Sequence, residues 1–187
     1  HIKRIRNEFD EIDIDASGSI DCVELLEHVD VMRSPFTDAV WASVGVDPAG
    51  RADVSDVVRV LVTFCLHSRE EILRFCFNQF DVDGSGTIDE QEFVQLVTIV
   101  NNASPMFPGN FARALEEFDT NDDGLIDFHE FKEVDKRYPL ILFPAFKLQD
   151  CLQRKFLGIV EWTRIAERLQ AQRVVQDYQK LHGGRSP

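Results

Sequence analysis

Several residue types are scarce in this chain, and each shortage excludes something. The 187 residues hold two Met, two Tyr and two Trp against fifteen Phe. So little Met argues against a groove that re-packs around many targets, and the Phe content predicts a Phe-packed helical interior. Seven Pro and ten Gly are too few for a disordered or fibrous chain. The four cysteines, Cys22, Cys65, Cys76 and Cys151, show no Cys-x-x-Cys spacing and lie among apolar neighbours. They read as reduced core residues of an intracellular, cytoplasmic protein. No apolar run is long enough to span a bilayer, because the longest, Val57 to Leu66, is broken by Arg59. A signal peptide and a phosphate-binding loop are both missing from the sequence. His1, His28, His67, His129 and His182 are scattered and join no nucleophile–base set, so no enzymatic activity is expected. The chain opens at His1 inside a helical pattern. It is therefore expected to be part of a longer chain, and an N-terminal lipid signal is left open.

Basic charge is scarce over most of the length. Residues 1–130 carry 9 Lys and Arg against 27 Asp and Glu, a net −18, whereas residues 131–187 carry 11 against 6, a net +5. An acidic body excludes nucleic acid as the main partner and disfavours anionic membrane surfaces. It suits cations or a basic segment.

What is present is a repeat. Phe9-Asp10-Glu11-Ile12-Asp13, Phe77-Asn78-Gln79-Phe80-Asp81 and Leu115-Glu116-Glu117-Phe118-Asp119 each run into an acidic stretch with a central Gly. The flanks read as helices. Ile5, Phe9 and Ile12 precede the first stretch, with Val23, Leu26 and Val29 after it. Ile72, Leu73, Cys76, Phe77 and Phe80 precede the second, with Phe93, Leu96, Val97 and Val100 after it. Phe111, Ala114, Leu115 and Phe118 precede the third, with Phe128, Phe131 and Val134 after it. These steps of three and four are helical, and Ser68 with Glu71 predicts a capping box. Asn101 to Gly109, with Pro105 and Pro108, reads as a linker.

Each acidic stretch offers oxygen at positions 1, 3, 5, 7, 9 and 12 of a twelve-residue loop. The first presents Asp13, Asp15, Ser17, the Ser19 carbonyl, Asp21 and Glu24. In the second the residues are Asp81, Asp83, Ser85, the Thr87 carbonyl, Asp89 and Glu92. The third runs Asp119, Asn121, Asp123, the Leu125 carbonyl, Asp127 and Glu130. Gly18, Gly86 and Gly124 fill position 6, where the chain turns sharply. Calcium takes six to eight such oxygens, and a Glu at position 12 favours it over magnesium, which is expected to enter only when calcium is low. Acidic Gly/Ser stretches also make plain solvated turns, but three complete ligand sets between helical patterns are a specific signal.

The gap between the first two loops holds a fourth unit, read here as Asp47–Val58. Ala49 and Arg51 at positions 3 and 5, Ala52 at 6 and Val58 at 12 leave it without calcium, with Arg51 placing a cation where the ion would sit. Val54 then takes position 8, opposite Ile20, as Ile88 is expected opposite Ile126.

These motifs identify the chain as a member of the EF-hand superfamily. Over roughly residues 1–135 it resembles the calmodulin-like proteins. Closer still is the calcineurin-B and neuronal-calcium-sensor group, through Leu61 to Glu92 with Arg74-Phe75-Cys76-Phe77 leading to Asp81-Val82-Asp83-Gly84-Ser85-Gly86. The resemblance implies an all-α fold of two EF-hand pairs, residues 1–67 and 68–138, with short β-bridges between paired loops. Members act as sensors that expose an apolar groove, as buffers, or as regulatory parts of larger proteins. The silent second unit departs from neuronal sensors, which usually lose the first.

Residues 139–187 form a basic tail. Phe146, Leu148, Leu152, Phe156, Ile159, Trp162, Ala166 and Leu169 predict one long amphipathic helix, or two joined near Gly158. Phe156 and Trp162 are candidates to dock in the chain's own groove or complete its core. The alternatives are a contact with another protein or a membrane surface. The main expectation is a calcium sensor or regulatory module. The rivals are a structural or scaffold module, such as one at the cytoskeleton, and a calcium buffer.

Overall fold

Apolar steps of three and four, interrupted by acidic loops, produce helices joined by tight turns. The computed structural model describes residues 1–100 and 110–181, with the side chains of 97–100 and 181 excepted. The first half comprises α1 (Ile2–Ile12), β1 (Ile20–Asp21), α2 (Cys22–His28), α3 (Pro35–Ala42), β2 (Arg51–Ala52) and α4 (Val54–Phe64). The second comprises α5 (Arg69–Phe80), β3 (Thr87–Ile88), α6 (Glu90–Val100), α7 (Phe111–Phe118), β4 (Ile126–Asp127) and α8 (Phe128–Arg137). The tail forms α9 (Phe143–Phe156) and α10 (Ile159–Leu181). The fold is all-α, with β1–β2 and β3–β4 as two-residue antiparallel bridges. The predicted linker at Asn101–Gly109, the side chains of Val97 and Val100, and His182 lie outside the described residues.

Helix starts follow the predicted chemistry. Ser68 Oγ accepts from the Glu71 amide at 3.2 Å, and Glu71 Oε2 accepts from the Ser68 amide at 2.7 Å. Capping boxes also begin α2 at Asp21 and Glu24, α4 at Asp53 and Asp56, and α8 at Asp127 and Glu130. A cap of this kind is worth about 1 kcal/mol.

Ile88 pairs with Ile126, as the loop alignment predicts. In the first half Ile20 pairs with Ala52 rather than Val54, and Asp21 with Arg51. The fourth loop is therefore Gly45–Asp56, two residues earlier than the spacing from Asp47 suggests. Three local features agree. Asp47 Oδ1 accepts from the Ala49 amide at 2.8 Å, as position 3 accepts from position 5 in the other loops. Asp53 and Asp56 form the same capping box as Asp21 and Glu24. Val57 is fully buried after the loop, as Leu25, Phe93 and Phe131 are after theirs. In this register position 1 is Gly45 and position 5 is Ala49, so ligands are still missing. The same phase explains why Val23 and Val62 are exposed, at 42% and 48%, while Leu25 and Val60 are buried.

Two cores result. The first gathers Ile5, Phe9, Leu25, Trp41, Leu61 and Phe64 with Leu152, Phe156 and Trp162 of the tail. The second gathers Ile72, Phe77, Phe80, Phe93, Phe118, Phe131 and Val134, with Leu142 and Ala145 of the tail. Phe36 of α3 crosses into the second core, edge-on to Phe80 at 6.0 Å. Helix α9 thus touches both cores along its length. It ends at Gly158, whose φ of +87° suits only Gly without strain, and whose amide closes on the Gln153 carbonyl at 2.7 Å. The tail is therefore two helices. Of its predicted apolar face, Leu148, Leu152, Phe156 and Trp162 are buried and Phe146 is half-buried, whereas Ile159, Ala166 and Leu169 are exposed.

Candidate metal centres

The three complete loops share one backbone device. The amide at position 6 donates to the carboxylate at position 1: Gly18 to Asp13 at 2.8 Å, Gly86 to Asp81 at 3.0 Å and Gly124 to Asp119 at 2.9 Å. These glycines have φ of +80°, +88° and +77°. The left-handed turn at this position is what brings the amide inward. Position 3 accepts from the amide at position 5 in each loop, through Asp15, Asp83 and Asn121. Ser17 Oγ and Ser85 Oγ donate to the carbonyls of Ser19 and Thr87 at 2.9 and 3.0 Å. Asp21, Asp89 and Asp127 turn one oxygen to the helix amide three residues on, at 2.8–2.9 Å. The Leu125 amide donates to Asp123 Oδ1 at 2.9 Å, so position 5 also holds the turn into β4.

Position 12 separates the loops. Glu92 Oε1 accepts from the Val82 amide at 2.7 Å and its Oε2 from the Asp89 amide at 3.1 Å. Glu130 Oε1 accepts from the Thr120 amide at 2.8 Å and from Thr120 Oγ1 at 3.0 Å, while Oε2 accepts from the Asp127 amide at 2.9 Å. Both carboxylates are buried and fold across their loops onto position 2. Glu24 accepts from the Asp21 amide at 2.7 Å, but its side chain is 35% exposed and the Ile14 amide turns to the Ile12 carbonyl instead.

The residues fit a hard cation. Oxygens of Asp81, Asp83 and Glu92 lie within 4.8 Å of one another, a crowd of like charge that a divalent ion relieves. Asp119 Oδ1 is buried with no hydrogen-bond partner among the described residues, which is costly unless a cation meets it. The donors are all oxygen, as calcium requires. The hydroxyl and amide of Ser17 hold Asp15 below the usual carboxylate range, and the amide and hydroxyl of Ser85 do the same for Asp83. Both are therefore anionic at neutral pH.

Arg51 does not point into its own loop. Its Nε donates to Ser19 Oγ at 2.9 Å, and its Nη2 donates to Ser17 Oγ at 3.1 Å and to the Ser19 carbonyl. Nη2 also lies 3.6 Å from Glu24 Oε2. Sequence reasoning also missed two tail residues. Gln149 Nε2 donates to the carbonyls of Phe64 and His67 at 2.9 and 2.8 Å, and Gln153 Nε2 to that of Cys65 at 2.7 Å. They satisfy the unpaired carbonyls at the end of α4. Nothing in an isolated Gln signals such a role. The fourth loop's register, by contrast, was marked in the sequence by Asp53 and Asp56, spaced like Asp21 and Glu24.

Among the described residues no helix is long and apolar enough to cross a membrane. The EF-hand domain pair model matches residues 2–98 and 69–134. The calcineurin-B subunit of Schizosaccharomyces pombe is 31% identical over 137 residues, covering 71% of this chain and 79% of the relative. Its counterpart from Candida glabrata is 31% identical over 135 residues, 70% of this chain and 77% of the relative. That of Yarrowia lipolytica is 30% identical over 135 residues, at 70% and 78%. A two-bridge helical fold built on acidic twelve-residue loops, matched on both counts, makes this chain a calcium-binding member of the EF-hand family, in its calmodulin and calcineurin-B group.

Proposed function

We propose that the chain is a calcium sensor and regulatory module, not a catalyst, with calcium held in three loops. Asp13, Asp15, Ser17, Ser19, Asp21 and Glu24 form the first site. The second uses Asp81, Asp83, Ser85, Thr87, Asp89 and Glu92, and the third Asp119, Asn121, Asp123, Leu125, Asp127 and Glu130. Ser19, Thr87 and Leu125 contribute backbone carbonyls. Magnesium takes these loops when calcium is low. The observation that carries the reading is the buried Oδ1 of Asp119, without a hydrogen-bond partner among the described residues, beneath a loop whose Glu130 is already folded inward.

The relatives are named as calcineurin subunits, and by analogy this chain regulates a protein partner. The tail is its internal helix ligand. Phe156 and Trp162 are 1% and 2% exposed in the first core, so a change of helix angle at the first loop is felt by the tail. Residues 1–67, 68–138 and 139–187 are the working units of this scheme. A reducing, cytoplasmic setting suits the four free thiols; burial pushes that of Cys22 up to about 11 and those of Cys65 and Cys76 further.

A second reading has its own support. Glu92 and Glu130 are buried and fully hydrogen-bonded, which suits structural sites in the second half, leaving the first loop to respond. Calcium calorimetry at physiological magnesium, with NMR spectra across the titration, tests both. Three sites with shift changes reaching Phe156 and Trp162 support the sensor. Changes confined to the loops favour a structural module or buffer, and fewer than three sites contradict the assignment.

A further inference from the structure

We propose that Arg51 is an internal cation of the first loop, competing with calcium for its oxygens and setting that site weaker than the other two. The inference rests on the reading of Asp13–Glu24 as a calcium site.

The bridge between the loops brings this about. Arg51 pairs with Asp21 across β1–β2, so a residue of the ligand-poor loop lies beside the ligand-bearing one. From there one guanidinium reaches three donor positions. It donates to Ser17 Oγ at position 5 and the Ser19 carbonyl at position 7, and lies 3.6 Å from Glu24 at position 12. A guanidinium stays charged at any physiological pH and presents several N–H donors in a fixed fork. Those oxygens are the ones a calcium ion takes in such a loop. Two cations cannot share them, so ion binding there is an exchange in which Arg51 leaves.

The other bridge differs. The residues at position 7 there are Thr87 and Leu125, and neither is a cation. Within the first half, Arg51 is 42% exposed, so it can swing into solvent. The consequence is a weakened site, not a closed one. A chain built this way reads two calcium ranges: the second half fills first, and the first loop, coupled to Phe156 and Trp162 through its core, answers at higher calcium. The returning guanidinium also helps expel the ion when calcium falls.

The test is a calcium titration of the full chain followed by nitrogen–proton NMR. The Gly18, Gly86 and Gly124 amides report the three loops separately, since each donates to its own position-1 carboxylate. In the wild type the Gly18 midpoint is expected at higher calcium than the other two. In Arg51→Ala and Arg51→Gln it falls roughly three- to tenfold, the range for removing a half-exposed charged contact, while Gly86 and Gly124 stay in place. In the unmutated protein the Arg51 Nε resonance shifts at the same calcium as Gly18. A Gly18 midpoint unchanged by both substitutions, or an Arg51 Nε resonance that never moves, overturns the proposal. If Gly18 responds to calcium in none of the three proteins while Gly86 and Gly124 do, the first loop is not a calcium site, and that part of the functional reading falls with it.

Discussion

The first loop and the third offer oxygen at the same six positions, differing in kind at positions 3 and 5 (Asp15 and Ser17 against Asn121 and Asp123), yet they close differently. Glu130 is 1% exposed and receives three hydrogen bonds at its carboxylate, two of them from Thr120 at position 2. Glu24 receives one such bond from the Asp21 amide and leans toward Arg51 instead. The difference comes from the partner across the bridge. The third loop faces the second, which has a full ligand set of its own. The first faces Gly45–Asp56, whose ligands are lost and whose Arg51 reaches over. A loop motif states which oxygens exist, and the neighbouring loop decides how they are held.

The strongest way to sharpen the comparison is to take the tail from one half only. Trp162 lies in the first core and not the second. Trp162→Ala is expected to cost about 3–5 kcal/mol, read as a loss of protection at Phe9 and Leu61 amides by hydrogen exchange, with Phe77 and Phe131 little changed. Equal loss in both halves would show that α9 couples the cores into one unit.

A smaller effect should separate the closing glutamates. Glu130→Gln removes a buried carboxylate from the proposed third site and is expected to weaken calcium binding there at least about tenfold, or 1.4 kcal/mol. Glu24→Gln should cost less at its own loop, because Glu24 is only partly drawn in. Calorimetry on the two variants decides; equal losses would erase the distinction between the loops.

The smallest effect concerns the junction between the halves. Hydrogen bonds from the amide and hydroxyl of Ser68 hold Glu71 below 4.5, and burial holds His67 below 6.5. In both cases the unfolded chain binds protons more readily. Each contribution is therefore complete above the unfolded value and lost as pH falls toward the folded one. The denaturation midpoint should drop between pH 7 and pH 5.5 through His67, and again below about pH 4.5 through Glu71. His67→Phe, beside Phe64 and Phe75, should remove the first drop and leave the second.

Much of this was legible along the chain. Helical periodicity placed Ile72, Cys76, Phe77 and Phe80 correctly in a core, because a helix face needs only residues three and four apart. The Ile88–Ile126 pairing followed from loops of equal length. The tail was legible only in part: its break at Gly158 and its anchors Phe156 and Trp162 show in the pattern, whereas the exposure of Ala166 and Leu169 depends on where the body ends beneath α10.

Sequence by itself determined the three oxygen sets, the helix caps and the acidic balance, since each depends on residues close together along the chain. Tertiary structure alone decided the capping of α4 by Gln149 and Gln153 and the path of Arg51. Those depend on which surfaces meet, and a side chain as long as arginine goes to whatever oxygen the neighbouring loop leaves within its reach.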